Sequence, residues 1–506
     1  MAARLNAAPA TAGIAMPSPT LAGVILALAV LRVAVAAASG LTDDEAYYRL
    51  WAIAPAVSYY DHPPMVAWMI AAGRWLLGDT PLGIRLVGPL LSLIGPLVLW
   101  RTTAILFDRE TAERSVWLAL AMPLLAVGGV VVTPDTASVL FWGLAAWALA
   151  ELYVSHNGNW WLAVGLFCGL GLLSKYTNLF AGVGVALWIV LLAENRRWLR
   201  SGKLWAGGAL ALLIALPVVI WNAEHQWASF AKQFGRVVVR QPATFRYLLE
   251  LLGAYLGLAS PVIAILAAAG LWRAVRIAAS EKSQPCLMLA TMLVPFLGYL
   301  FVHAVHDRVQ PNWVAPIYPM LAVCAALAVS AVPRRSDAVR LLRAAVGVGL
   351  VLCVLIYAQA VRPLFSPGMG DPTSQMRGWR EFAAEVERAR LANGARWIAT
   401  ASYATTGQLA FALKGGPEVV QLNERLRYAH LAPPDRALIG SPALYVDLER
   451  RNALPMLRKR FASVTALGAL SRSYRGQTLA RYALYLLADP VGPVLGGDEG
   501  TEPAHP

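Results

Sequence analysis

Charge is what this sequence has least of: only 14% of its 506 residues are Asp, Glu, Lys or Arg, against roughly a quarter in a soluble globular domain. That scarcity, with 58% hydrophobic residues and a mean hydropathy of +0.55, excludes water as the main solvent. Cysteine is also scarce. Cys168, Cys286, Cys324 and Cys353 lie in or beside apolar runs without close pairing, which excludes a disulfide framework and a cysteine metal set. No basic run is concentrated enough to read as a nucleic-acid surface. The +14 net charge is dispersed among loops between apolar stretches, where the positive-inside rule places it.

What is present is a series of apolar runs, each able to cross roughly 30 Å of hydrocarbon as a helix. Spans are expected at 21–38, 82–106, 115–132, 136–154, 160–173, 177–193, 204–221, 246–270, 286–303, 312–331 and 340–360, about 11 in all. The first run lacks a basic n-region, contains Arg32 and precedes many others, so it reads as a retained helix. Arg196, Arg197, Arg200 and Lys203, then Arg273, Arg276 and Lys282, then Arg334, Arg335, Arg340 and Arg343 share one side, taken as cytoplasmic. Residues 1–20 are then a cytoplasmic N-terminus and 21–360 the transmembrane domain.

The first loop on the opposite side, 41–80, is more than a linker. Glu45 to Ile53 and Pro64 to Leu77 are amphipathic, with Trp and Tyr at interfacial positions, and are expected as two surface helices. After residue 361 the composition turns polar. Trp397 to Ala401 and Ala443 to Val446 read as buried strands, Gly378 to Leu391 and Thr406 to Leu413 as helices, giving a small extracytoplasmic α/β domain over 361–488. A Gly/Pro-rich tail, 489–506, is expected to be disordered.

Ionisable groups beside a bilayer are costly, so their clustering at span ends invites a functional reading. The clusters are Asp43-Asp44-Glu45, Tyr59-Tyr60-Asp61-His62, Thr133-Pro134-Asp135, Ser174-Lys175-Tyr176, Trp221-Asn222 with His225, and His306-Asp307-Arg308 continuing to Asn312-Trp313. Each alone could mark a helix end or the aromatic belt. Together on one side with Lys175, Arg236, Arg240 and Arg308, they describe a site that holds an anion and activates a nucleophile, and Lys232 lies in the same cationic stretch as Arg236 and Arg240. A metal reading competes through His62, His303, His306 and Asp307, but the spacing lacks any zinc-enzyme signature. The run Gly169 to Lys175 fails the phosphate-loop spacing, and its glycines suit close helix packing.

Several motifs then fall in a recognisable order: Asp43-Asp44-Glu45-Ala46-Tyr47-Tyr48 with Trp51, Tyr59-Tyr60-Asp61-His62-Pro63-Pro64, Gly83 with Arg85-Leu86, Thr133-Pro134-Asp135, Leu173-Ser174-Lys175-Tyr176, Pro217 with Trp221-Asn222 and Trp227, and Pro311-Asn312-Trp313. Over about residues 20–330 the sequence resembles the membrane glycosyltransferases of the GT-C fold, in the bacterial branch related to protein O-mannosyltransferases and lipid A aminoarabinose transferases. Ser402-Tyr403 with Gln408 to Phe411 resembles the extracytoplasmic domain of that branch.

The resemblance implies a polyprenyl-phosphate-linked sugar donor, a lipid or glycolipid acceptor, inversion at the anomeric carbon, no required cofactor with a divalent cation still possible, and a bacterial inner membrane location with the site on the periplasmic side. Mapped here, Asp44 is the candidate general base with Glu45 beside it. Lys175, Arg236, Arg240 and Arg308 would hold the donor phosphate. Tyr47, Tyr48, Tyr60, Asp61, His62, Asp135, Tyr176, Asn222, His225, Asn312 and Trp313 would face sugar or acceptor. His62 stands where the aminoarabinose transferases have a lysine. A protein O-mannosyltransferase, or a transporter of lipid-linked sugar, are the alternative readings.

Overall fold

In the computed structural model the described residues are 16–238, 244–365 and 370–496, apart from the side chains at 234 and 236–238. Most of the expected N-terminal segment, Arg240 and the end of the expected tail lie outside them. The chain divides into two compact units: residues 1–36, 61–66 and 85–357 form one, and residues 37–60, 67–84 and 358–506 the other. The first-loop helices expected within the transmembrane domain thus group largely with the C-terminal residues.

Among the described residues, seven helices of the first unit are long and apolar enough to cross a bilayer, from Pro19–Ala38 at the start to Arg335–Val361 at the end; an eighth such run, Pro81–Leu106, begins in the second unit. Two expected spans form as shorter apolar helices, Trp160–Ser174 and Leu179–Leu191. Two others are interrupted. The run 115–132 breaks into Arg109–Leu120 and Pro123–Gly128, and the run 246–270 breaks between Arg246–Ala259 and Pro261–Glu281. The reason is proline in both cases: it has no N–H to continue the ladder, and it pushes the residue before it out of the helical region. Ser260, ahead of Pro261, sits at φ +70.

Between helices in lipid there is little hydrophobic driving force, so close backbone approach through small residues carries the packing. The core follows this rule, with Ala112, Ala121, Ala146, Ala150, Ala267 and Ala326 all buried. Gly169 shows it within Trp160–Ser174: a Cβ there would stand 2.9 Å from the Ile214 side chain and 3.0 Å from the Ala211 carbonyl oxygen.

The second unit carries a five-stranded sheet. Its strands are β1 (Trp397–Thr400), β2 (Val419–Gln421), β3 (Ala443–Leu448), β4 (Phe461–Tyr474) and β5 (Gln477–Pro490), in the order β2-β1-β3-β5-β4. β1 pairs parallel with β2 and β3, while β5 runs antiparallel to β3 and β4. β1 is buried on both faces, as an apolar run without alternation requires. Trp379, Phe382, Ile398 and Leu444 fill one side, and Trp397, Ala399, Tyr445 and Leu487 the other.

The β4–β5 hairpin was not expected. It turns on Arg475-Gly476, both at positive φ, the conformation that matches strand twist in a two-residue loop. The chain from 489 onward, as far as it is described, runs on in β5 to Pro490 and then without regular structure, but it is anchored. Arg460 donates to the carbonyls of Val494 and Gly496, and Val494 is buried.

Candidate active site

Both units place ionisable side chains from the expected clusters. In the first, Thr133 caps the helix Pro134–Ser155, its hydroxyl accepting from the Asp135 N–H at 3.2 Å. A helix start is the bland reading of Thr-Pro-Asp, and it is correct for the backbone. The Asp135 carboxylate does something else. Lys175, extended just past the helix Trp160–Ser174, donates to Asp135 Oδ1 at 2.6 Å, and Asn312 donates to Oδ2 at 2.7 Å. Lys175 and Asp135 are each only 7% exposed.

A second pair stands in the same unit. Lys232 Nζ lies 2.9 Å from Asp61 Oδ1, and Gln233 donates to the Asp61 carbonyl at 2.7 Å. His62, next to Asp61 in the chain, feels all four charges: burial together with Lys175 and Lys232 pushes its pKa down to about 4, against the opposing pull of Asp61 and Asp135. Near neutral pH this histidine is therefore an uncharged donor and acceptor. Two lysines, two aspartates and a neutral imidazole make a charge-balanced cluster.

In the sequence Lys232 stands out only as part of a cationic stretch. Its signal was the polar stripe Ser229, Lys232, Gln233 and Arg236 at i, i+3, i+4 and i+7 on the amphipathic helix Ala228–Val238. Ser229 meets the Tyr176 hydroxyl at 2.9 Å, and the Tyr176 ring stands edge-on to Phe230.

Other expected residues build the frame. Asn222 accepts from the Phe230 N–H at 3.0 Å and folds the chain back after its span. His225 stacks on Trp221 with ring centroids 4.0 Å apart. Trp313 packs against His303, and Arg308 pairs with Glu250 at 3.0 Å. Arg308 thus has a carboxylate partner apart from the lysine pairs. Asp307 accepts from the Arg308 N–H, and no group of three or more His, Cys, Asp or Glu side chains gathers as a metal site among the described residues. The side chain of Arg236, like all of Arg240, lies outside the described residues.

In the second unit the three consecutive acids have three different environments. They open the helix Asp43–Trp51, whose N-terminus favours negative charge. Glu45 is fully buried and closes a capping box: its carboxylate accepts from the Thr42 N–H at 3.0 Å while the Thr42 hydroxyl accepts from the Glu45 N–H. Asp43 accepts from Gln408 at 2.9 Å, and burial pushes its carboxyl up despite that bond and the charge of Arg472. Asp44 alone of the three is exposed, and Tyr403 donates to its Oδ1 at 3.3 Å.

Tyr47 and Tyr48 are 2% and 5% exposed and belong to an aromatic core with Trp51, Tyr59 and Tyr403. Tyr60 is partly exposed, with the Arg427 guanidinium 5.7 Å from its ring centroid.

The family model described as dolichyl-phosphate-mannose-protein mannosyltransferase matches residues 61–221. The chain is similar to the lipid A galacturonosyltransferase RgtD of Rhizobium johnstonii, 28% identical over 284 residues that cover 54% of this chain and 58% of that protein. It is also similar to the undecaprenyl phosphate-alpha-4-amino-4-deoxy-L-arabinose arabinosyl transferase of Erwinia tasmaniensis, 28% identical over 288 residues, 52% of this chain and 49% of that protein. The matches span about half the length of these curated relatives. In three dimensions the chain resembles ArnT from Cupriavidus metallidurans bound to undecaprenyl phosphate, with a TM-score of 0.61 at 16% identity, covering 95% of this chain and 100% of that one.

Proposed function

We propose that this chain, a multi-pass membrane protein with the GT-C fold of the aminoarabinose-transferase and protein-mannosyltransferase branch, is an inverting glycosyltransferase. It moves one sugar from a polyprenyl-phosphate donor to an envelope glycolipid such as lipid A or its core oligosaccharide. The relatives named for lipid A and aminoarabinose transfer support this reading over protein mannosylation. Its site faces the periplasm, on the side opposite the basic loops at 196–203, 273–282 and 334–343.

The observation that carries the proposal is a pair of lysines, Lys175 buried and Lys232 partly buried, each held by one aspartate. A donor phosphodiester bears one negative charge. When the bond from the anomeric carbon to the phosphate oxygen breaks, the bonding electrons pass to that oxygen and the leaving phosphate gains a second charge. Lysines preorganised in a water-poor site stabilise that development. Asp44, the exposed acid of its helix, accepts the proton of the acceptor hydroxyl as its oxygen bonds to the anomeric carbon. Phosphate is a good enough leaving group to need little protonation.

The test is purified protein with a panel of radiolabelled polyprenyl-phosphate sugars and lipid extracts. Asp44→Asn is expected to lower turnover on the order of 10²- to 10⁴-fold. Unchanged turnover in that variant overturns the base assignment, label on protein favours the mannosyltransferase reading, and lipid scrambling without transfer favours a transporter.

A further inference from the structure

The C-terminal sheet domain has no part in the chemistry as described so far. Its helix Tyr403–Ala412 is nevertheless built around the acidic helix Asp43–Trp51 of the same unit. Helix Tyr403–Ala412 starts at the carboxyl end of β1, where buried Asp447 at the end of β3 fixes its first turn. Asp447 accepts from the Ala401 N–H at 2.8 Å, the Ser402 hydroxyl at 3.0 Å and the Thr405 hydroxyl at 2.9 Å. Tyr403 is the first residue of this clamped turn. Four residues on, Gly407 lies so close to the acidic helix that a Cβ would stand 2.8 Å from the Ala46 carbonyl carbon and the Tyr47 nitrogen. One residue further, Gln408 donates to Asp43.

The Tyr403 ring is also held from the side. Its centroid is 4.9 Å from that of Tyr47, and the guanidinium of Arg427 stands 5.0 Å from it. Arg427 is itself buried and fixed by Glu424 at 3.0 Å. A ring wedged between an aromatic and a cation has little rotamer freedom, so its hydroxyl is aimed before any ligand arrives.

We infer that Tyr403 is the positioning residue for the Asp44 carboxylate, and that the C-terminal domain exists in this chain to present it. The inference rests on the reading of Asp44 as the base. By donating to Oδ1 at 3.3 Å, Tyr403 fixes the carboxylate's rotamer and stabilises its charged form. Tyr403 touches no reacting atom. Its effect passes through Asp44.

Tyr403→Phe keeps the ring, its contact with Tyr47 and its cation contact, and removes only the hydroxyl. The expected result is a kcat about 10-fold lower with donor KM unchanged, and an acidic limb of the kcat pH profile moved upward by about one pH unit. Gly407→Ala, which forces the two helices apart, should reproduce both changes. A second readout does not need turnover: difference infrared titration of the Asp44 carboxyl, assigned by its loss in Asp44→Asn, should move to higher pH in Tyr403→Phe. An unmoved titration and an unmoved pH profile overturn the inference. A moved titration in a protein that transfers no sugar from any donor keeps Tyr403 as the partner of Asp44 and sinks the transferase reading instead.

Discussion

Lys175 meets Asp135 at 2.6 Å while Asn312 holds the other carboxylate oxygen at 2.7 Å, so three chain segments more than 35 residues apart converge on one buried charge pair. Such a pair is weak evidence of stability when whole, because desolvation offsets attraction, but breaking it strands a charge.

Removing one partner should therefore be worse than removing both. Lys175→Met is expected to destabilise the folded protein by about 3–5 kcal/mol. The double variant Lys175→Met with Asp135→Leu should recover most of that loss in a thermal unfolding assay in detergent, yet remain inactive. A double variant no more stable than the single would contradict the pairing.

Lys232 is expected to act on the ligand more than on the fold. Lys232→Met should weaken binding of undecaprenyl phosphate about 10-fold or more, the scale of a lost charge-assisted hydrogen bond. Microscale binding with and without added salt checks it. Equal affinity in wild type and variant would remove Lys232 from the phosphate site.

The sign of the pH effect follows from His62. Its folded pKa, about 4, lies below the unfolded value near 6.5, so between those values the unfolded chain binds the extra proton. The stabilisation is complete above pH 6.5 and is lost as pH falls through that window, by up to about 3 kcal/mol. His430, lowered to about 4 by burial, loses stabilisation over the same range in the other unit. Thermal midpoints from pH 7 to pH 4.5 should fall steeply in wild type and less so in His62→Gln. A parallel fall in both would show that His62 is ordinary in the folded state.

Gly169 offers a packing test away from any chemistry. Gly169→Leu should lower the thermal midpoint and the yield of folded protein, since overpacking costs about 1–3 kcal/mol or more where backbone is the obstacle. Normal stability in that variant would mean the helices Trp160–Ser174 and Gly202–Glu224 are looser than their described approach.

Much of this arrangement could be read from the chain because it is written locally. The two first-loop helices, expected at Glu45 to Ile53 and Pro64 to Leu77, form at Asp43–Trp51 and Met65–Leu77, although the first is buried from Glu45 to Trp51 where a surface helix was expected. Strand β1 falls within its apolar run, and the helix expected from Gly378 begins beside Gly378 as its N-cap. Where the reading failed, a local signal was outweighed by average hydropathy. Pro123 and Pro261 each break a run that is apolar throughout. The Thr42-x-x-Glu45 capping box was equally visible and assigns Glu45 a backbone duty that its acidity obscures. What no local signal carries is partnership across distance. Asp44 and Tyr403 are 359 positions apart, and nothing in either neighbourhood names the other.

That separation has a consequence for how the protein is made. The helix Asp43–Trp51 leaves the ribosome long before Tyr403–Ala412, the helix against which Gly407 lets it pack. At roughly 5–20 residues per second, the intervening stretch of about 350 residues takes on the order of 20–70 s to synthesise. Throughout that interval Tyr47 lacks the aromatic neighbour that Tyr403 supplies, and Tyr48 and Trp51 sit on a helix whose packing partner is not yet made. The nascent chain must shelter them in the membrane surface or with a chaperone, and a ribosome stalled between the two segments would leave an amphipathic helix waiting for a partner that has not been translated.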